Sequence, residues 1–425
     1  MQTTTASVFD NDRAPGYWIL LIGIPVVIAL ASILFVPMRA PQPIYLAYAH
    51  EFVDTGHIAE TVYPVEFAWL TGISLKAFGT RGPELLQAAL YLLIVILVWG
   101  LARKAGATAR YALFAALGAA IYPRLAEGVT KVWDVQIAVL LMVLVMLCTV
   151  CLLVDGLKPA WVFAIAVAFG LSLAQRSNML LLLPLPLYVC FTSEGTRLRK
   201  TLAVAFGGVA SILVFVAVNT LAHGSFFVSQ NGPYNFVQGH NEYSMQVMLR
   251  DLTSEPTVPL IMRADGMEPV READEGNPKL QRYFVRRAFA YMRTHPLQEI
   301  ELIPVKLFTL FRPDTRLNRR SIPLTAMNVG MSLILPVWII LLLRQKARTG
   351  LDGLDWIFIS AFGLYVLPFL LTCSDPRYQI PIEICLLAHM GCMASRKTIL
   401  GDLRSRRHYE GVACSADQGV ASPRA

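Results

Sequence analysis

Long apolar runs dominate this chain. They lie near residues 17–36, 84–102, 111–122, 135–154, 159–174, 178–192, 201–222, 323–343, 355–373 and 379–394. A helix needs roughly 20 apolar residues to cross a hydrocarbon core about 30 Å thick, and most of these runs meet or approach that length. The pattern predicts an all-α polytopic membrane protein with about ten transmembrane helices. The first run is too long for the apolar segment of a secretory signal, so it reads as a retained first helix. Between the runs, residues 280–293 show helical amphipathicity. Leu280, Phe284, Ala288 and Tyr291 share one face and Arg282, Arg286 and Arg293 another, which predicts an interfacial helix lying apolar side down on the membrane.

Charge then sets the topology. With a cytoplasmic N-terminus, the inside connections hold Arg103, Lys104 and Arg110, then Lys158, then Arg197, Arg199 and Lys200, then Arg344, Lys346 and Arg348, and last Arg396 and Lys397. Every short inside loop is basic, as the positive-inside rule expects. The expected organisation is a cytoplasmic N-terminus at 1–16, a membrane domain at 17–395 and a disordered cytoplasmic tail at 396–425. Residues 37–82, 123–134, 223–322 and 374–378 fall outside, the long outer loop being 223–322.

Composition agrees. Of 425 residues 55% are hydrophobic and 16% charged, and the mean hydropathy is +0.53. The net charge of +8 is spread over short clusters between apolar runs, which argues for topology signals and against a nucleic-acid partner. The seven cysteines form neither a disulfide framework nor a zinc spacing. No Gly-rich phosphate loop of the Rossmann or Walker kind is present.

Chemistry-bearing side chains collect in the outer loops. The first offers Glu51, Asp54, His57, Glu60 and Glu66, which otherwise read as solvated loop residues. Asp134, beside Trp133 at the mouth of a span, is a site candidate because a carboxylate at that depth is costly unless it meets water or a cation. It also suits a helix N-cap. Arg124 and Lys131 could bind phosphate oxygens or lipid headgroups, and Arg176, between two apolar runs, could do the same or snorkel. Asp375, Arg377 and Tyr378 stand at the start of the last run, where Arg377 could pair with Asp375 or clamp a phosphate. Carboxylates on two loops could also hold a divalent metal.

Several segments then resemble, in order, the GT-C superfamily of polyprenyl-phosphate-sugar glycosyltransferases, especially the branch of protein mannosyltransferases and lipid A aminoarabinose or galacturonic acid transferases. These are YLAYAHEFVDTGHI, YPVEFAWLTGISLKAFG, YPRLAEGVTKVWD, LSLAQRSNMLLLLP, NGPYNFVQGHNEYS, AFAYMRTHPLQEIELIPVKLF and DPRYQIPIE. The resemblance spans residue 17 to about 395. It implies a GT-C-like fold and sugar transfer from a polyprenyl-phosphate donor to a lipid, glycan or protein hydroxyl. The reaction would serve cell-envelope modification, in a multi-pass protein of the cytoplasmic (inner) membrane. It implies Asp134 as base or acceptor-orienting carboxylate, and Arg124, Lys131, Arg176, Arg377, Tyr378, Asn235, His240 and Asn241 as substrate-binding residues. Where the family carries an early Asp in the first loop, this chain has Pro41, Gln42 and Pro43, so that role passes to Glu51 or Asp54. The rival readings are a lipid or small-solute transporter or flippase, marked by charges within spans and broken helices, and a non-catalytic GT-C relative.

Overall fold

The computed structural model describes residues 16–40, 43–58, 64–223, 232–249, 257–269, 277–312, 329–372 and 375–396. The expected tail beyond 396, the N-terminal 15 residues, Glu60 and the start of the run at 323 lie outside them. Among the described residues the chain is helical without strands, and one backbone bridge joins Arg39 to Lys131.

In order come α1 (Gly16–Phe35), α2 (Pro43–Thr55), α3 (Glu66–Phe78), α4 (Gly82–Lys104), α5 (Ala109–Ala120), α6 (Pro123–Glu127), α7 (Val135–Asp155), α8 (Pro159–Gln175), α9 (Pro184–Thr192) and α10 (Arg197–His223). The long loop supplies α11 (Gly232–Gly239), α12 (Ser244–Leu249), α13 (Thr257–Ala264), α14 (Pro278–Thr294) and α15 (Pro296–Phe311). The chain closes with α16 (Ile334–Thr349), α17 (Gly353–Leu371) and α18 (380–396). Proline opens several of them, including α4, α8, α14 and α15, at positions where its missing N–H is not needed.

Among the described residues six helices are long and apolar enough to cross a membrane, seven if the 54° bend between Ala109–Ala120 and Pro123–Thr130 is one broken span. The runs at 159–174 and 178–192 form shorter apolar helices. The 17 residues of α8 reach about 25 Å at 1.5 Å per residue, short of a full hydrocarbon core. Among the described residues, fewer helices than apolar runs therefore reach the length of a full span.

The core gathers α4, α5, α7, α8 and α18, while α1 and α10 turn Leu20, Val27, Leu202, Phe206 and Ile212 outward. Helix α10 packs on α8 through small residues, as membrane helices do. At Gly170 an added Cβ would come within 2.6 Å of the Ser211 carbonyl oxygen. Gly72 does the same for α2 against α3, where a Cβ would sit 3.0 Å from the Ala49 oxygen.

The two sets of connections separate to opposite ends. At one end Arg39 exchanges backbone hydrogen bonds with Thr130 (2.8 Å) and Val132 (2.9 Å), and the Ile58 amide donates to Ala222 (3.1 Å). At the other, Lys104 pairs with Asp155 (2.7 Å), Arg199 donates to the Leu157 carbonyl (2.7 Å) and Arg396 pairs with Asp352 (2.9 Å).

Helix α14 differs from the amphipathic expectation. Its Phe284, Ala288 and Tyr291 are buried, and Phe284 and Ala288 join Val237, Val258, Ile261 and Met262 in a small second core. The apolar face meets protein because α11, with α13 beside it, supplies the opposing surface, Tyr234 and Phe236 of α11 packing on Phe284 and Phe289. Lipid-type exposure falls instead on α15, through Leu297, Ile300 and Phe308.

Candidate active site

A cavity of about 360 Å³ opens at the end where the first, second and long loops meet. Five chain segments build it. Tyr45 and Pro64 come from the first loop, Asp134 from the second, and Gln175, Arg176, Ser177 and Asn178 from the break after α8. Helix α11 gives Tyr234, Asn235 and Gln238, and the far wall is Phe369, Thr372, Arg377 and Tyr378.

Asp134 is the one carboxylate lining the cavity among the described residues. It stands just before α7 as its N-cap position, without capping hydrogen bonds from its side chain. Its Oδ2 instead accepts from the Arg176 guanidinium (2.9 Å) and from Gln175 Nε2 (3.3 Å). Arg176 can turn inward because α8 stops there. The residue leaves helical geometry with φ −150° and ψ 109°, and a tight turn, Ser177–Leu182, follows. Burial would lower the basicity of Arg176, but Asp134 together with Tyr365 and Tyr378 outweighs it, so the net shift is upward and the guanidinium stays charged.

Tyr378 carries both cations. The guanidinium carbons of Arg176 and Arg377 each lie 5.1 Å from its ring centroid, and Phe369 stacks on it at 4.6 Å. Arg377 also donates to the Tyr378 hydroxyl (3.2 Å) and faces Asp375 at 3.8 Å. Burial would lower Arg377 as well, but Tyr378 and then Asp375 outweigh it and raise it. Tyr45 completes the floor. Burial first, and then the charge of Asp134, hold its hydroxyl well above the usual phenol range, so it remains a donor.

Of the residues singled out from the sequence, Asp134, Arg176, Arg377, Tyr378 and Asn235 line this cavity. The others stand elsewhere. Arg124 is buried behind it, its NH1 3.0 Å from the Gln379 side-chain oxygen, with Glu383 and Tyr122 nearby. Lys131 pairs with Glu127 (2.7 Å) and lies over Trp133. Glu51 and Asp54 sit on α2 away from its Tyr45 face, Asp54 exposed. His240 and Asn241 follow α11. Asn241 donates to the Val237 carbonyl (2.8 Å) and accepts from the Tyr243 amide (2.8 Å), tying off the helix end.

Gln175 and Asn178 were visible in the sequence as polar neighbours of Arg176 between two apolar runs. Tyr234 and Gln238 share a helical face with Asn235, a spacing that separates them from His240 and Asn241. Tyr45 opens one of the segments that carry the family resemblance, but nothing there singled it out as a site residue. Charged groups occur inside the later helices: Glu383 accepts from Tyr122 (2.5 Å), and His389 donates to Asp355 (2.9 Å), which also meets Arg396 (3.2 Å). Each is partnered within the bundle. Among the described residues no three His, Cys, Asp or Glu side chains cluster as metal ligands.

Residues 63–220 match the family described as dolichyl-phosphate-mannose-protein mannosyltransferase. Among curated proteins no sequence matches. Of solved structures, the Archaeoglobus fulgidus oligosaccharyltransferase in its apo form is similar at 11% identity, over 94% of this chain and 52% of that one, with a TM-score of 0.50. ArnT from Cupriavidus metallidurans bound to undecaprenyl phosphate aligns at 16% identity over 90% and 78%, with a TM-score of 0.43. At these identities the likeness concerns the fold. The family match covers part of the chain, and the shared fold is that of a polytopic membrane protein. The mannosyltransferase match runs from the start of α3 through α10 and includes Asp134 and Arg176.

Proposed function

We propose that the chain transfers a sugar from a polyprenyl-phosphate carrier to a hydroxyl of a lipid, glycan or protein acceptor, on the face of the cytoplasmic membrane away from the cytosol. The observation that carries this reading is the meeting of one carboxylate and two arginines in a single cavity, Asp134 with Arg176 and Arg377. Dolichyl-phosphate-mannose, in the name of the matched family, is a donor of the same chemistry. The basic clusters at the opposite end support the orientation.

Both contacts to Asp134 fall on Oδ2, so Oδ1 is the oxygen that receives the acceptor hydroxyl. That hydroxyl oxygen bonds to the anomeric carbon, the bond from that carbon to the phosphate oxygen breaks, and the acceptor proton moves to Asp134. Assistance of this kind contributes roughly 10² to 10⁴ in rate. Negative charge developing on the departing lipid phosphate is met by Arg377, by Arg176 and by the Tyr45 hydroxyl, donors fixed before the reaction begins. Gln175, Asn178, Asn235 and Gln238 offer carboxamides suited to sugar hydroxyls.

Purified protein in lipid nanodiscs, supplied with radiolabelled lipid-phosphate sugars and candidate acceptors, tests the chemistry. Transfer by the wild type and its loss in Asp134→Asn are expected. Absence of transfer from every such donor, together with failure to bind polyprenyl phosphate, refutes the reading. Labelling of single cysteines at positions 45, 134 and 377 with an impermeant thiol reagent in spheroplasts tests the orientation.

A further inference from the structure

His240 lies outside the cavity, yet it joins two of its walls. The residue follows α11, whose Tyr234, Asn235 and Gln238 form one wall, and its ring is almost wholly buried. Its Nδ1 lies 2.6 Å from Glu299 Oε2 on α15, and its Nε2 lies 2.8 Å from the carbonyl of Leu371, the last residue of α17. A carboxylate and a carbonyl only accept, so the ring makes both bonds when each nitrogen carries a hydrogen, that is, as imidazolium. Lys306 on α15, also buried, donates to the carbonyl of Leu370 (3.0 Å) and has its Nζ 3.4 Å from His240 Nε2.

The final carbonyls of a helix lack intrahelical partners and carry partial negative charge. The side chains of His240 and Lys306 meet these last carbonyls of α17. The last turn of that helix is the cavity's other wall: Phe369 stacks on Tyr378, and Thr372 borders the opening while donating to the Pro368 carbonyl (2.7 Å). Pro368 inside α17 cannot donate to the preceding turn, so this turn depends on outside partners more than an unbroken helix end would.

We propose that His240 and Lys306 are positioning residues that clamp the α11 and α17 walls together. The groups facing His240 are Glu299 and Lys306 from α15, the Leu371 carbonyl from α17 and the Phe236 ring of α11, 4.8 Å away. Tyr291, Glu242 and Arg287 continue the charged surroundings of Glu299. The kinetic consequence rests on the glycosyl-transfer reading; the clamp itself does not.

The test is hydrogen exchange of the full-length protein in nanodiscs, as protection factors for residues 232–241 and 366–372, with donor KM measured alongside. His240→Gln is expected to be less protected in both segments, with donor KM raised on the order of tenfold. Lys306→Met is expected to lose protection at 366–372, and Lys306→Arg to restore it. Wild-type-like protection in His240→Gln overturns the proposal. Should that variant not fold, equal protection in Lys306→Met and Lys306→Arg overturns it instead. Loss of protection in these variants of a protein that transfers no sugar supports the clamp and removes the transfer reading alone.

Discussion

Arg176 donates to Asp134 Oδ2 at 2.9 Å across the ends of two different helices, α7 and α8. The contact fixes one carboxylate oxygen and leaves the other for substrate. Asn at position 134 keeps an oxygen for Arg176 and Gln175 but loses the charge and the proton-accepting role. Asp134→Asn is therefore expected to lower kcat/KM by about 10² or more with little change in melting temperature. Asp134→Ala leaves Arg176 buried without its counter-charge and is expected to cost about 3–5 kcal/mol of stability as well. Thermal melting beside transfer assays distinguishes the two.

Tyr378 gives a second test, because its ring rather than its hydroxyl holds most of the contacts. Phe369 and the guanidinia of Arg176 and Arg377 all lie against the ring face. Each cation–π contact of a desolvated kind is worth on the order of 1–2 kcal/mol. Tyr378→Ala is expected to weaken binding of polyprenyl phosphate at least tenfold, whereas Tyr378→Phe, losing one hydrogen bond from Arg377, stays within a few-fold. Isothermal titration with a short-chain polyprenyl phosphate reads the difference.

The close approach of α8 and α10 predicts a stability effect without a first-order effect on chemistry. A side chain at Gly170 would collide with the Ser211 carbonyl and with Val214. Gly170→Leu is expected to destabilise the bundle by about 1–3 kcal/mol, while Gly207→Ala, whose added methyl would meet Val162 at an ordinary 3.7 Å, is close to neutral. Melting in detergent decides this.

Much of this architecture is legible in the sequence because hydrocarbon imposes its demands locally. Run length gives the helices, and the basic clusters separate the two ends. Asp134, Arg176 and Arg377 stand out because charge next to an apolar run needs an explanation. What the sequence hides depends on partners far along the chain. Lys131 looks like Arg176 in one dimension, yet it is neutralised by Glu127 four residues earlier, a pairing that helical spacing allows but does not require. The basic residues of α14 invited a membrane contact, but its apolar face found α11 and the small core that α13 completes, and that depends on how the long loop folds. Tyr45, an aromatic on a half-buried helix, became a site residue only where the distant segments carrying Asp134, Arg176 and Arg377 close the cavity around it.

The first-loop carboxylates separate resemblance from geometry most directly. The resemblance assigns an early acidic residue to the reaction, and Glu51 and Asp54 are the nearest candidates in this chain. They ride on the side of α2 opposite Tyr45, at three residues' spacing from each other and outside the cavity lining. Reaching Asp134 would require α2 to turn about its axis, removing Tyr45, Tyr48 and Ala49 from the core. Burying those side chains is worth several kcal/mol at roughly 25 cal/mol per Å², so such a rotation is strongly disfavoured. Glu51→Gln and Asp54→Asn, singly and together, are expected to retain kcat/KM within about threefold of wild type, against the 10² or greater loss expected for Asp134→Asn. A loss in the double variant comparable to that of Asp134→Asn, with melting unchanged, would mean that α2 presents its acidic face to the substrate during turnover.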